Sequence, residues 1–243
     1  MFIRYLNLPC QISLKNIPHL WEQNDILILV VDLDKYNVLS TEYIDENEKD
    51  EMDIFKTSYF KKRYIVSRKV LKYIICCLFK EQSISTISTY KDEYGKVHVR
   101  GHEDLHICLS YAGNIASLAI SKIKVGIDIE LEKLIHPNKI FRYLHKPILR
   151  TKDPENDHDL LIVWTLKEAY SKFSNKSMLA NLNKELDLSS VFHSSYILNE
   201  KYILSVITCV NPHDLNISFL PKITFNNLNI QITLIDIVSN YNR

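Results

Sequence analysis

Between Ile123 and Glu130 the side chains alternate without a break: Ile123, Val125, Ile127 and Ile129 are β-branched, while Lys124, Gly126, Asp128 and Glu130 are polar or small. Strict period-two alternation predicts a strand with one packed face. Asp128 and Glu130 then project from the same side, roughly 6–7 Å apart along the strand. At that spacing both carboxylates can reach one divalent ion that takes oxygen ligands. An amphipathic strand whose acids face water has the same pattern, so D-x-E by itself does not decide between the two readings.

A second periodic segment runs over residues 160–173. Ile162, Leu166, Ala169 and Phe173 recur at helical spacing and form a core stripe. Glu168 and Lys172 lie off that stripe, four residues apart and therefore neighbours, on a face shared with Leu161 and Trp164. They are either a surface ion pair or part of an enclosed cleft wall. In a cleft, a carboxylate can bind metal or accept a proton and a lysine can stabilise phosphate charge.

Elsewhere, strands are expected at 26–34, 107–109, 115–120, 202–210 and 229–237, with 123–131 as the strand already described, and a long helix at 53–79 after an acidic stretch, 42–53. Residues 90–101, with Tyr94-Gly95-Lys96, predict a loop or hairpin entry, and 151–159, with Pro154, a loop. Val31-Asp32-Leu33-Asp34 echoes Ile127-Asp128-Ile129-Glu130, and a long helix with basic residues follows each. Two similar α+β halves joined near 121–124 would account for the echo, as would coincidence in so short a match.

Thirty basic against twenty-nine acidic residues give a formal charge of +1, so the balance points to neither nucleic acid nor an anionic membrane surface. The five cysteines, Cys10, Cys76, Cys77, Cys108 and Cys209, make no C-x-x-C and read as reduced thiols. The nine histidines are scattered, and no zinc is expected. The apolar run 26–31 is too short to span a bilayer and the first twenty residues lack a signal-peptide pattern, which predicts a soluble, cytoplasmic protein. The four glycines make neither G-x-x-x-x-G-K-[ST] nor G-x-G-x-x-G. Any phosphate must be held by side chains and metal.

Gly126-Ile127-Asp128-Ile129-Glu130, followed about thirty-five residues later by Trp164-Thr165-Leu166-Lys167-Glu168-Ala169-Tyr170-Ser171-Lys172, resembles the paired signature G-[IV]-D-[IV]-E and W-[ST]-x-K-E-A-x-x-K of the Sfp-type phosphopantetheinyl transferases. Arg63-Tyr64-Ile65-Val66-Ser67-Arg68-Lys69-Val70-Leu71-Lys72 resembles the family's R-Y-x-x-S-R-x-x-L-R helix, Tyr94-Gly95-Lys96 its Y-G-K-P loop, and Leu109-Ser110 the start of its S-H-S turn. The fold implied is α+β: two similar α/β halves related by a pseudo-twofold, 1–122 and 123–243, each a small antiparallel-rich sheet packed on a long helix. The activity implied is Mg²⁺-dependent transfer of 4′-phosphopantetheine from coenzyme A to a serine of an apo acyl, peptidyl or aryl carrier protein, releasing 3′,5′-ADP. Asp128, Glu130 and Glu168 would hold Mg²⁺, with Mn²⁺ as the alternative ion. Glu168 would take the serine proton directly or through a metal-bound water, and Lys172 would stabilise the phosphate, so that Asp128, Glu168 and Lys172 form the catalytic set. Arg63, Lys96, Ser110, Tyr111 and Lys167 would bind coenzyme A. The two-half form further implies a monomer serving polyketide or nonribosomal peptide assembly.

Several positions depart from the pattern. Tyr111 stands where the family has histidine, so a charge-assisted phosphate contact is lost. The segment Asp45-Glu46-Asn47-Glu48-Lys49-Asp50-Glu51 offers only Lys49 where relatives place lysines, Lys72 replaces an arginine, and Val97 a proline. Asn175-Lys176-Ser177-Met178 replaces a glycine-rich stretch. A relative that binds coenzyme A or a carrier protein without transferring the arm is the competing expectation.

Overall fold

The computed structural model describes residues 3–6, 13–36, 40–81, 83–132, 157–177, 181, 185–212 and 215–223. The chain is α+β, built on two four-stranded sheets. One sheet has the order β10-β2-β6-β5, from Leu215–Phe219 (β10), Ile26–Asp32 (β2), Ile115–Ser121 (β6) and His106–Ala112 (β5). The other has the order β1-β8-β9-β7, from Ile3–Leu6 (β1), Phe192–Leu198 (β8), Tyr202–Thr208 (β9) and Val125–Leu131 (β7). Thr89–Lys91 (β3) and Val97–Val99 (β4) form a separate hairpin.

The helices are Ile17–Gln23 (α1), Glu46–Asp53 (α2), Ser58–Phe79 (α3) and Asp157–Ser174 (α4). The two long ones cover the outer faces of the sheets. Leu27, Leu29 and Val31 of β2, with Leu118 and Ile120 of β6, share a core with Val66, Val70, Leu71 and Ile74 of α3. Ile197, Ile203 and Ile207 of β8 and β9 share another with Leu160, Ile162, Leu166 and Ala169 of α4. The alternate residues of β2 and β9, Ile26, Ile28, Val30, Leu204 and Val206, make a third core between the sheets with Val125, Ile127 and Ile129 of β7. Strands buried on both faces read as continuous apolar runs, which is what β2 is.

The sheets meet along β5 and β7, and side chains do the work of a ladder there. Cys108 Sγ accepts from the Ile127 N–H at 3.3 Å, and Ser110 Oγ from the Ile129 N–H at 3.2 Å. The connection between β6 and β7 crosses residues 122–124, where the two halves were expected to join, but two strands lie across that division. β1 pairs in parallel with β8, and β10 in parallel with β2.

Some element bounds differ from expectation. The helix expected over 53–79 begins later, at Ser58, and the acidic stretch before it forms a helix of its own, α2, which Asp45 and Glu48 start with a reciprocal capping box. α3 restarts with Thr57 Oγ1 accepting from the Phe60 N–H at 3.3 Å. α4 begins at Asp157, inside the segment expected to be a loop; the rest of that loop, the mixed helical stretch that the sequence suggests after His136-Pro137 and the strand at 229–237 lie outside the described residues. The echo of β7 also ends early: after Asp32 the chain turns into a short 3₁₀ helix, Leu33–Lys35, and Asp32 caps it by accepting from the Asp34 N–H.

α4 lies against β7 at Gly126. A Cβ there would sit 2.6 Å from the Phe173 backbone nitrogen, 2.7 Å from its Cβ, and closer still to the Ala169 carbonyl oxygen. No flexible side chain is available to yield, so α4 itself would have to move. Gly126→Ala is expected to lower stability by about 2–3 kcal/mol, read as a lower urea midpoint with a shift in Trp164 emission. An unchanged midpoint would show that the helix and strand do not depend on this close approach.

Candidate functional site

The site is assembled where β7, β5 and α4 converge. Period two puts Asp128 and Glu130 on the α4 side of β7, and the helical repeat turns Glu168 and Lys172 toward them. Ligand oxygens of Asp128, Glu130 and Glu168 all lie within 4.8 Å of one another, the one such acidic or mixed cluster among the described residues. Lys172 Nζ donates to Asp128 Oδ1 at 2.6 Å and to Ser110 Oγ at 2.9 Å. Asp128 is 2% exposed, and its other oxygen, Oδ2, is buried without a hydrogen-bond partner.

The electrostatics follow from crowding three acids in a half-buried space. Burial, then the Asp128 carboxylate, raise Glu168 to about 8. Burial and Asp128 also raise Glu130 to about 7, against the polar indole N–H of Trp164 beside it. Burial would lower Lys172, but the adjoining Asp128, with Cys108 and Glu168, more than offsets it and holds the ammonium above its ordinary range. Three oxygen donors, a shortage of positive charge and an unpartnered buried Oδ2 fit a hard divalent cation such as Mg²⁺.

A cleft of about 480 Å³ opens beside the cluster, lined by Lys96, Cys108, Leu109, Glu168, Lys172 and Lys176 among others. Lys96 reaches it from a turn shaped by Asp92. Asp92 Oδ1 accepts from the backbone N–H groups of Tyr94 and Lys96, both at 2.9 Å, and Gly95 turns at φ +81. Asp92-Glu93-Tyr94-Gly95 places aspartate first and glycine fourth, the usual residues of a type I turn, so this positioning role was open to a sequence reader. Burial lowers the Lys96 pKa, because part of the ammonium's hydration is already lost in the folded protein.

The other expected binding residues are placed differently. Arg63 lies over the Tyr111 ring at 4.1 Å, with Tyr59 and Phe60 at 5.4 and 5.6 Å, and not on the cleft wall. Tyr111, on the opposite face of β5 from Ser110, has its hydroxyl 2.8 Å from Ser67 Oγ. Ser67 donates its own proton to the Tyr64 carbonyl at 3.0 Å, so Tyr111 is the donor of that pair. Lys167 is fully buried, away from the cleft; burial drops it to about 8 against the pull of Glu185. Its position next to Glu168 in sequence turns it to another side of α4.

His102-Glu103-Asp104-Leu105-His106 carries the letters H-E-x-x-H, which a scan of scattered histidines passes over. Zinc binding by that motif needs both imidazoles on one helix face. Here the segment is a turn running into β5, and His102 instead meets Glu81 at 3.4 Å.

Residues 124–216, which contain the whole of β7, α4, β8 and β9, match the 4′-phosphopantetheinyl transferase superfamily. A 4′-phosphopantetheinyl transferase of Bacillus subtilis is 28% identical over 96 residues, covering 38% of this chain and 43% of the relative, so the match spans less than half of that protein. The resemblance carried by the paired motifs is thus also found across the segment that holds the acidic cluster.

Because Glu130 and Glu168 sit well above the ordinary glutamate value, the metal-free protein keeps protons on the cluster at pH 7 that a bound cation must displace. Calorimetric titration with Mg²⁺ at pH 7 is expected to release about one proton per ion, and much less at pH 9. A heat independent of the buffer's ionisation enthalpy would contradict this. Stability has a matching sign: folded carboxyls with raised pKa bind more protons than unfolded ones, so metal-free stability falls as pH rises toward about 8. Glu168→Gln should flatten that fall.

Proposed function

We propose that the protein is a phosphopantetheinyl transferase that moves the 4′-phosphopantetheine group of coenzyme A onto a serine of an apo acyl, peptidyl or aryl carrier protein. The observation that carries this reading is the acidic cluster with Lys172 at its edge, opening on a lysine-lined cleft. Asp128, Glu130 and Glu168 would hold Mg²⁺, which supplies charge neutralisation at the coenzyme A pyrophosphate and lets the three carboxyls ionise together.

The chain's own residues do the rest. Lys96 and Lys176 receive the phosphates, and Lys172 stabilises charge on the transferring phosphoryl oxygens. The carrier serine Oγ bonds to the β-phosphorus, the bond from that phosphorus to the bridging oxygen breaks, and 3′,5′-ADP leaves with the electron pair. The serine proton passes to Glu168, the carboxylate of the cluster that lines the cleft. No covalent enzyme intermediate is required. Arg63 and Tyr111 would act together at the far side of β5, and Lys167 would support the helix that carries Glu168.

The wider reading is of a monomer with two pseudo-twofold halves, 1–122 and 123–243, working in the cytoplasm for polyketide or nonribosomal peptide assembly. Among the described residues no helix is long and apolar enough to cross a membrane.

Purified protein incubated with coenzyme A, Mg²⁺ and apo carrier proteins of the three types is expected to add one phosphopantetheine to at least one, followed by intact mass. Asp128→Ala should abolish the gain, and Glu168→Gln should lower kcat by roughly 10²–10⁴-fold. If every carrier stays unmodified while coenzyme A still binds, the protein is a binding relative and the transfer reading is wrong.

A further inference from the structure

Ser110 stands at the centre of the site but is buried and is not among the residues that line the cleft. Its hydroxyl oxygen has three neighbours at hydrogen-bond distance: Asp128 Oδ1 at 2.7 Å, Lys172 Nζ at 2.9 Å and the Ile129 backbone nitrogen at 3.2 Å. A serine hydroxyl has one proton and two lone pairs. The ammonium and the backbone N–H can only donate, so they occupy the lone pairs. The single proton must therefore point at Asp128 Oδ1. Ser110 is 3% exposed, and all of its hydrogen-bonding capacity is spent inside the protein.

On the other side of that bond, Asp128 Oδ1 receives two donors, Ser110 and Lys172, while Oδ2 receives none and remains buried. The asymmetry fixes the rotation of the carboxyl group. Oδ1 is anchored to β5 and α4, and Oδ2 is left with its lone pairs for the cluster shared with Glu130 and Glu168. Neither Glu130 nor Glu168 comes from the first sheet, so Ser110 is the group through which β5 sets the geometry of an acidic cluster otherwise built from β7 and α4.

We propose that Ser110 is a positioning residue for Asp128, orienting its free oxygen for a divalent cation, and not a hydrogen-bond donor to a phosphate of the bound substrate. This rests on the metal-holding part of the function proposed above. It also reassigns a residue that the family resemblance places among the coenzyme A contacts. A phosphate offers Ser110 only acceptors, and to meet it the hydroxyl would have to abandon Asp128.

The two roles separate in binding measurements that need no turnover. Mn²⁺ alone, followed by its electron paramagnetic resonance signal, titrates the cluster; 3′,5′-ADP in chelator, followed by calorimetry, titrates the phosphate contacts. Ser110→Ala is expected to weaken Mn²⁺ binding by about 10-fold or more, with 3′,5′-ADP affinity changed less than about 2-fold. Ser110→Thr, which keeps the hydroxyl, should recover most of the Mn²⁺ affinity and so separates orientation from a general loosening of the strand. Unchanged Mn²⁺ binding in Ser110→Ala, or a loss confined to 3′,5′-ADP, overturns the proposal while leaving the transfer reading intact. Absence of Mn²⁺ binding to the parent protein would overturn the metal assignment and this inference with it.

Discussion

The ion pair between Lys172 and Asp128 is the contact on which the architecture turns. A carboxylate that is almost wholly buried needs a partner or it loses its charge. Lys172 supplies one from α4 and Ser110 supplies a hydrogen bond from β5, so three elements from both sheets close on a single oxygen. Holding a helix close enough for this demands a strand with no side chain beneath it, and Gly126 provides that two residues before Asp128. Ala169 fits for the same reason: its carbonyl lies against the glycine, and its methyl packs in the α4 core. The motif residues between the charged positions are thus geometric conditions for the charged ones.

This explains what could be read from the sequence and what could not. β7 and α4 were legible because each carries an unbroken period, and period fixes which residues share a face. Period paired Asp128 with Glu130 and Glu168 with Lys172, the family resemblance implied that the two pairs share one site, and the four are found together. Ser110 was legible only as part of a family resemblance, and that resemblance pointed outward to a ligand. Its inward role depends on the register of β5 against β7, a long-range relation with no local signature. The parallel pairings of β1 with β8 and of β10 with β2 were equally hidden, since nothing in Ile3–Leu6 or Leu215–Phe219 names a partner nearly two hundred residues away. Lys167 shows the opposite limit: adjacency to Glu168 in a motif says nothing of the face it occupies.

The acidic stretch before α3 looked like a loss of phosphate-binding charge, and the structure gives it another use. Glu48 is fully buried and accepts hydrogen bonds from Lys72, from the hydroxyl of Thr89 and from the Asp45 backbone. Lys72 also donates to the Tyr43 carbonyl, and Asp45 accepts from Ser88. Two departures from the family pattern, the acids and Lys72, are therefore one buried ion pair. It ties α2 to α3 and to the start of the hairpin whose turn presents Lys96. The pair acts on the cleft by anchoring a loop and not by contributing charge to it.

The hydrogen-bond inventory of β5 bears on how the cleft could recognise a polyanion. The hydroxyl protons of Ser110 and Tyr111 are both directed to protein acceptors, and the Arg63 guanidinium is stacked on the Tyr111 ring. The cations that line the cleft are ammonium groups: Lys96 from the Asp92 turn, and Lys172 and Lys176 from the end of α4 and just beyond it. An ammonium is a compact point charge on a flexible stem, without the fixed fork of a guanidinium. It holds phosphate by charge with little demand on orientation, and a half-buried lysine such as Lys96 gives up less hydration in doing so. In this design the precise geometry is concentrated at the three carboxyls, where Ser110 and Lys172 fix one oxygen of Asp128. The lysine-lined side is left adaptable, a division of labour that would suit the proposed transfer, in which a long, flexible donor enters while one phosphorus atom is aligned.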